Sequence, residues 1–225
     1  DLVRVARERA PCSVPDAAML RVAAARRFLE QCVESGRTIY GVNTGVGRLA
    51  TEVIPLHALE DLQRNIVLSH AAGTGPDLDD DEVRGILAGD VLPVVPAKGS
   101  LGASGDLAPL AHVAAALLGE GEVRIGGKRL PAAEGLAASG LEPFRLSFKE
   151  GLGLINGCQV MASRGTLLLH DARIVLRTAQ AVTAAILDVF DASSAPFDAR
   201  VHDNRPYPGQ RAVAANLRRL LEDRA

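Results

Sequence analysis

The segment from Phe148 to Phe190 constrains this chain most. It is long, mostly apolar and helical in pattern, so it forms one long helix or two helices broken near Gly165. An apolar stripe of that length is buried only against other helices or a second layer. Aromatic residues make up 3% of the chain and Trp is absent, so Ala, Leu and Val have to fill the core. Small side chains favour closely packed helices. Helical periodicity recurs at Pro15–Glu34, which opens on a proline suited to a first turn and stops before Gly36. It recurs again at Leu56–Ala72, Asp106–Leu118 and, more briefly, Gly209–Glu222. The one strand signal is Glu122–Leu130, where Gly126-Gly127 suits a two-residue hairpin turn. Gly and Pro crowd the stretches Thr38–Pro55 and Gly73–Gly105, which read as loops, the usual seats of chemistry between helices. The expected fold is mainly α. An N-terminal mixed domain with a small β-hairpin, residues 1–147, leads into the start of a long-helix bundle, residues 148–225.

A chain of 225 residues can bury a sizeable core. Its formal charge of -2 argues against general attraction to nucleic acid or to an anionic membrane, and no apolar run is long enough to span a bilayer. The three cysteines, Cys12, Cys32 and Cys158, are odd in number and lack CxxC spacing, which fits neither a disulfide framework nor a cysteine zinc site. A reducing cytoplasm fits best. The first ten residues are charged rather than basic-then-apolar, unlike a signal peptide, and the absence of an initial Met suggests further sequence upstream. His57, His112, His170 and His202 have no ligand spacing, so no metal is assigned.

The most informative stretch is Lys98-Gly-Ser-Leu-Gly-Ala-Ser-Gly-Asp-Leu-Ala-Pro-Leu-Ala-His112. One reading is a glycine-rich turn before a helix, with Ser104 or Asp106 accepting bonds from the first free amides; another is an anion-binding helix N-terminus. A third reading is covalent. If the loop is held in a tight turn, the Gly105 nitrogen can attack the Ala103 carbonyl carbon, and glycine adds no Cβ to crowd that approach. Loss of the carbonyl oxygen and of the Ser104 hydroxyl as two waters leaves a methylidene-imidazolone, an electrophile made from Ala103, Ser104 and Gly105. Helix N-termini nearby would sharpen it.

The run Gly99–His112 closely resembles the prosthetic-group signature of the aromatic amino acid ammonia-lyases and related aminomutases. The same resemblance extends in order through Tyr40-Gly-Val-Asn-Thr-Gly-Val-Gly47, Leu62-Gln-Arg-Asn-Ile-Val-Leu-Ser-His-Ala-Ala-Gly73, Lys149-Glu-Gly-Leu-Gly-Leu-Ile-Asn-Gly157 and Arg205-Pro-Tyr-Pro-Gly-Gln210. The chain is most similar to the N-terminal half of the histidine-specific members.

That resemblance implies a set of roles. Tyr40, which otherwise reads as a turn tyrosine packed on a helix, becomes the general base for the substrate β-proton; its glycine-rich surroundings suit a mobile lid. A phenol with an ordinary pKa of about 10 needs positive potential nearby to do this. His70, on a helix face shared with Leu59, Gln63 and Ile66, otherwise reads as an ordinary core or surface residue; the resemblance makes the pair Ser69-His70 selectors of the substrate side chain, in the histidine-specific version. Asn156, otherwise a helix-to-helix bond or a cap at a break, would face the prosthetic group or the substrate's amine and carboxylate. Lys98 and Arg205 read as solvated charges or anion contacts.

The implied reaction is non-oxidative deamination of L-histidine to urocanate and ammonia. The prosthetic group comes from residues 103–105 and no external cofactor is needed. A homotetramer is implied for the intact protein. The alternatives are an aminomutase using the same group and an inert family fragment. Three departures from the family stand out. Relatives run to about twice this length, and the part beyond Ala225 would carry a Tyr-to-Arg segment and a Glu of the site. The stretch Asp79–Leu92 is short by roughly a helix and a loop. Cys158 and Tyr207 stand where Thr and His are usual.

Overall fold

The computed structural model describes residues 1–87, 90–205 and 207–222. Two compact units divide at 166/167. Unit 1 (1–166) begins with α1 (Leu2–Glu8) and α2 (Asp16–Glu34), then passes through a turn-rich segment to α3 (Leu59–His70). A ribbon of β1 (Thr74–Asp77) and β3 (Pro96–Lys98) is antiparallel, as is a small sheet ordered β2 (Leu92–Pro93), β4 (Glu122–Ile125), β5 (Lys128–Pro131). Between them lie α4 (Asp80–Ile86) and α5 (Leu107–Leu117), followed by α6 (Ala132–Ala138), α7 (Glu150–Ile155) and the start of α8 (Gln159–Val189).

The expected mainly-α architecture with one hairpin is what the chain forms. The hairpin turns at Gly126 and Gly127, with φ of 56° and 79°, values that glycine adopts without strain. At the centre runs α5, buried along Pro109, Leu110, Ala111, Val113, Ala114, Ala115 and Ala116. Its alanines let α3, α7 and β3 approach closely, and the core closes with Val67, Val83, Val95, Leu152 and Ile155. Within α3, Leu59, Gln63, Ile66 and Val67 face inward.

Two expectations change. The break in the long apolar segment falls at Asn156-Gly157-Cys158, and α8 then continues straight through Gly165. Asn156 (φ -98°, ψ 75°) ends α7 in a non-helical conformation, whereas a lone interior glycine costs a helix only about 1 kcal/mol. The segment Gly73–Gly105, expected as loop, contains β1, β2, β3 and α4. Pro96 fits there because β3 belongs to a two-stranded ribbon, where a missing N–H is tolerated. The Asp-rich run opens α4 with a capping box between Asp79 and Glu82. The short Asp79–Leu92 region includes residues 88 and 89, which lie outside the described residues.

Unit 2 (167–225) holds the remainder of α8, a 3₁₀ turn at Ala195–Phe197, α9 (Ala199–Asp203) and α10 (Pro208–Leu220). Ala184, Leu217 and Leu221 form its core, with Leu187, Phe197 and Val213 packed on it. Asn216 Nδ2 donates to Gln180 Oε1 at 3.0 Å between α10 and α8. In the Arg205–Gln210 run, Gln210 bonds His202 Nδ1 at 2.9 Å, and Pro206 lies outside the described residues. Many apolar side chains of α8 stay exposed, among them Leu168, Val175 and Val189. Among the described residues no helix is long and apolar enough to cross a membrane, and all three cysteines are unpaired.

Candidate active site

The loop between β3 and α5 is fixed at both ends and open at its tip. At its root, Gly99 (φ 139°) lies against Gly73, the residue where the chain has just left α3; a Cβ on Gly99 would sit 3.1 Å from Gly73 Cα. Gly73 N donates to His112 Nε2 at 3.1 Å, so α5 ties down the same point. Burial holds the His112 pKa below its usual value, which keeps the ring neutral and able to accept that bond. At the tip, Leu101 is 94% exposed, and Ala103 and Ser104 are exposed with it. Gly105 turns back into the protein.

The other end is locked by Asp106, 1% exposed. Its carboxylate accepts from Ser100 Oγ (3.0 Å) across the loop and from Met161 N (2.9 Å) in the first turn of α8. Its own N–H donates to Gly157 O at 2.8 Å. One reading of the sequence had Ser104 or Asp106 capping the helix that follows; the Asp106 side chain makes no capping bond to α5 and serves the N-terminus of α8 instead. Two helix N-termini therefore converge beside Gly105, with one carboxylate offsetting part of their positive potential.

Gly105 (φ 148°) backs directly onto the α7–α8 break. A Cβ there would lie 2.9 Å from both Asn156 Oδ1 and Gly157 O and 3.0 Å from Gly157 N. Two of these atoms are backbone and cannot swing aside. Gly105→Ala is therefore expected to strain the loop by about 2 kcal/mol or more, lowering the thermal midpoint and blocking a tight turn at residues 103–105. Thermal unfolding with intact mass checks this; a variant as stable and as covalently modified as wild type would contradict it.

Tyr40 heads a tight turn. Gly41 takes a φ of 64°, which favours glycine, and a Cβ there would meet Leu152 Cδ2 at 2.3 Å, so the leucine would have to shift. Gly41 N donates to Thr44 Oγ1 (3.1 Å) and Asn43 bonds both Ile39 N (2.7 Å) and Arg37 O (2.9 Å). The stretch Gly41–Gly45 is buried, so the root of this loop is pinned rather than a free lid. The Tyr40 side chain itself is 53% exposed, and its hydroxyl accepts from Gly47 N at 3.2 Å.

Ser69 and His70 close α3. Ser69 Oγ donates to Ile66 O (3.1 Å), and His70 Nδ1 lies 2.7 Å from the same carbonyl. A carbonyl only accepts, so the proton belongs on Nδ1 and Nε2 is left as an acceptor, with no hydrogen bond among the described residues. The structure thus brings Gly105 and Asn156 into contact and sets Ser69–His70 three residues before the glycine that touches Gly99. No hydrogen bond among the described residues joins Tyr40, Ser69 or His70 to Ala103 or Ser104.

Gln63, whose amide bonds Gly41 O and Leu152 N, and Asp106, which bonds Ser100 and Met161, link the segments gathered here, and neither set of partners was read from sequence. The signal for Gln63 was a polar residue on an otherwise apolar helix face; for Asp106 no local signal distinguished the neighbouring helix from its own. Among the described residues no group of three or more His, Cys, Asp or Glu gathers in a way that could hold a metal ion.

The chain matches the family model described as aromatic amino acid lyase in two stretches, residues 1–89 and 85–225. Histidine ammonia-lyase of Sorangium cellulosum (strain So ce56) is 42% identical over 250 residues, covering 98% of this chain and 49% of that protein. Histidine ammonia-lyase of Deinococcus radiodurans is 44% identical over 231 residues, covering 91% and 44%. Among solved structures, tyrosine aminomutase from Streptomyces globisporus superposes with a TM-score of 0.90 at 37% identity, covering 97% of this chain and 46% of that one. Histidine ammonia-lyase from Trypanosoma cruzi gives 0.89 at 32% identity, covering 96% and 48%. The chain spans about half the length of the curated relatives it matches. The alignment with the Sorangium protein is 250 residues long against a chain of 225, and the two family-model stretches meet at 85–89, inside the region expected to be short.

Proposed function

This chain belongs to the aromatic amino acid lyase family, and on that premise we propose that it is the part of a histidine ammonia-lyase that makes the electrophile and supplies the base. The observation that carries this reading is the seat of Gly105. It is clamped against Asn156 and Gly157 where no Cβ fits, while Ala103 and Ser104 bend outward in front of it. A glycine in that seat keeps the attacking nitrogen uncrowded, which supports ring closure at these three residues. The Gly105 nitrogen forms a bond to the Ala103 carbonyl carbon, whose oxygen leaves as water with the Gly105 and Ser104 amide hydrogens as a double bond forms between that carbon and the Ser104 nitrogen. The Ser104 hydroxyl leaves with its α-proton as a second water. The resulting 4-methylidene-imidazole-5-one would supply an electrophilic carbon for an amino acid substrate, held by the loop between Asn156-Gly157 and Asp106.

The remaining work falls to side chains. Tyr40 takes the substrate's β-proton, its oxygen oriented by the Gly47 N–H. Asn156, beside Gly105, offers a carboxamide to the substrate's amine or carboxylate. His70, its Nδ1 held on the Ile66 carbonyl, presents Nε2 as an acceptor for the N–H of a substrate imidazole, and Ser69 fixes that end of the helix. A phenyl ring offers no such donor, so the arrangement favours L-histidine over phenylalanine. The converging N-termini of α5 and α8 stabilise negative charge developing at the ring.

Residues 1–147 carry the loop in this reading, and 148–225 begin the helical bundle. The exposed apolar side chains of α8 are consistent with a homotetrameric parent, and the unpaired cysteines with a cytoplasmic setting.

Product analysis tests the reading. The intact protein given L-histidine is expected to release ammonia and urocanate in equal amounts. A β-amino acid as the product would replace the lyase with an aminomutase, and no reaction with any aromatic amino acid would contradict both.

A further inference from the structure

We infer that Gln63 is a positioning residue that sets the Tyr40 turn relative to the prosthetic loop. The inference rests on the function proposed above. Gln63 is fully buried, a costly place for an amide unless both of its ends are paired. Both are, and each partner belongs to a different part of the site. Gln63 Nε2 donates to Gly41 O at 3.3 Å, next to Tyr40. Leu152 N donates to Gln63 Oε1 at 3.2 Å, in α7. Only one orientation of the amide satisfies a carbonyl on one side and an N–H on the other, so the side chain reads both backbones at once.

The contact continues on each side. Leu152 O accepts from Asn156 N at 3.0 Å, Asn156 and Gly157 hold Gly105, and Asp106 N donates to Gly157 O at 2.8 Å. Four hydrogen bonds, joined by the covalent backbone of Leu152 and of Asn156-Gly157, thus link the Tyr40 turn through Gln63 and the α7–α8 break to Asp106 at the end of the loop. The packing is equally tight: a Cβ on Gly151 would meet Gln63 O at 2.4 Å, and one on Gly41 would meet Leu152 Cδ2 at 2.3 Å. Gly151 brings the α7 backbone against that of α3, Gly41 brings the turn against the Leu152 side chain, and the Gln63 amide is the polar link between the two segments. A general base has to lie within about 3 Å of its proton, and misplacement by 1 Å costs about a hundredfold in rate.

The test uses Gln63→Met, which keeps length and volume but loses both bonds, and Gln63→Glu, which when neutral offers the same donor and acceptor. Burial beside a carbonyl favours the neutral carboxyl. In the intact protein, Gln63→Met is expected to retain the loss of two waters, to lose about ten- to a hundredfold in kcat and to change KM by less than about threefold. Gln63→Glu should recover most of that kcat. Amide hydrogen exchange in Gln63→Met should quicken at both 41–46 and 151–156 while the β4–β5 hairpin stays as in wild type. Unchanged kcat in Gln63→Met, equal losses in both variants, or faster exchange confined to α3 would each overturn the inference. Should Gln63→Met fail to fold, the same comparisons are made between Gln63→Glu and wild type, where matching kcat and matching exchange are expected and a large loss in either is contrary. If wild type neither loses two waters nor deaminates an amino acid, the proposed function fails, and the exchange results still decide whether Gln63 joins the two segments.

Discussion

Ser104→Ala is expected to leave the protein without the loss of two waters and to reduce deamination to the level of the uncatalysed reaction. The reason is stoichiometric. The electrophilic carbon is the Ser104 Cβ after its oxygen has departed, and an alanine methyl has no leaving group, so ring closure could remove at most one water. Folding should be unaffected: Ser104 is exposed at the loop tip and makes no hydrogen bond among the described residues, so stability should change by less than about 0.5 kcal/mol. Intact mass, thermal unfolding and an ammonia-release assay on the same sample separate these effects. Retained deamination in a stable variant would mean that the reaction does not use this loop.

Tyr40→Phe should split what Ser104→Ala removes together. Cyclisation draws on the Ala103, Ser104 and Gly105 backbone and on the seat made by Asn156, Gly157 and Asp106, none of which bonds to Tyr40. The variant is therefore expected to lose two waters as wild type does. Deamination needs a proton acceptor, and removing a positioned general base costs about 10²- to 10⁴-fold in kcat. The freed partner, Gly47 N, sits at an exposed position and water can replace the phenol, so the stability cost should stay near or below about 1 kcal/mol. A kcat within a few-fold of wild type would remove Tyr40 from the chemistry, and a missing mass loss would give it a role in forming the ring.

The fold was legible wherever periodicity carried it. The limits of α2 and α5 fall within a residue of the expected ones, because Pro15, Gly36 and Gly119 mark their ends. The break before α8 was misplaced because an isolated glycine is conspicuous. Asn156-Gly157 is in fact the stronger signal, since Asn and Gly commonly end helices. The β1–β3 ribbon was hidden for a different reason: Thr-Gly-Pro-Asp and Pro-Ala-Lys show no alternation, and their pairing comes from where α3 and α5 hold their ends. At the site, Tyr40, Ser104 and His70 were singled out by the family resemblance, since each residue type alone fits an ordinary structural role equally well. The parts played by Gln63 and Asp106 depend on atoms about 90 and 55 positions away in the chain, Leu152 and Met161, and no local pattern reports such partners.

The central claim is that the chain closes a ring on itself, and tandem mass spectrometry of the peptide spanning Lys98–His112 from the intact protein tests it most directly. The account predicts a peptide lighter than its sequence by two waters, with the loss confined to Ala103-Ser104-Gly105. A peptide of full mass from correctly assembled protein, with the Ser104 hydroxyl still in place, would contradict it.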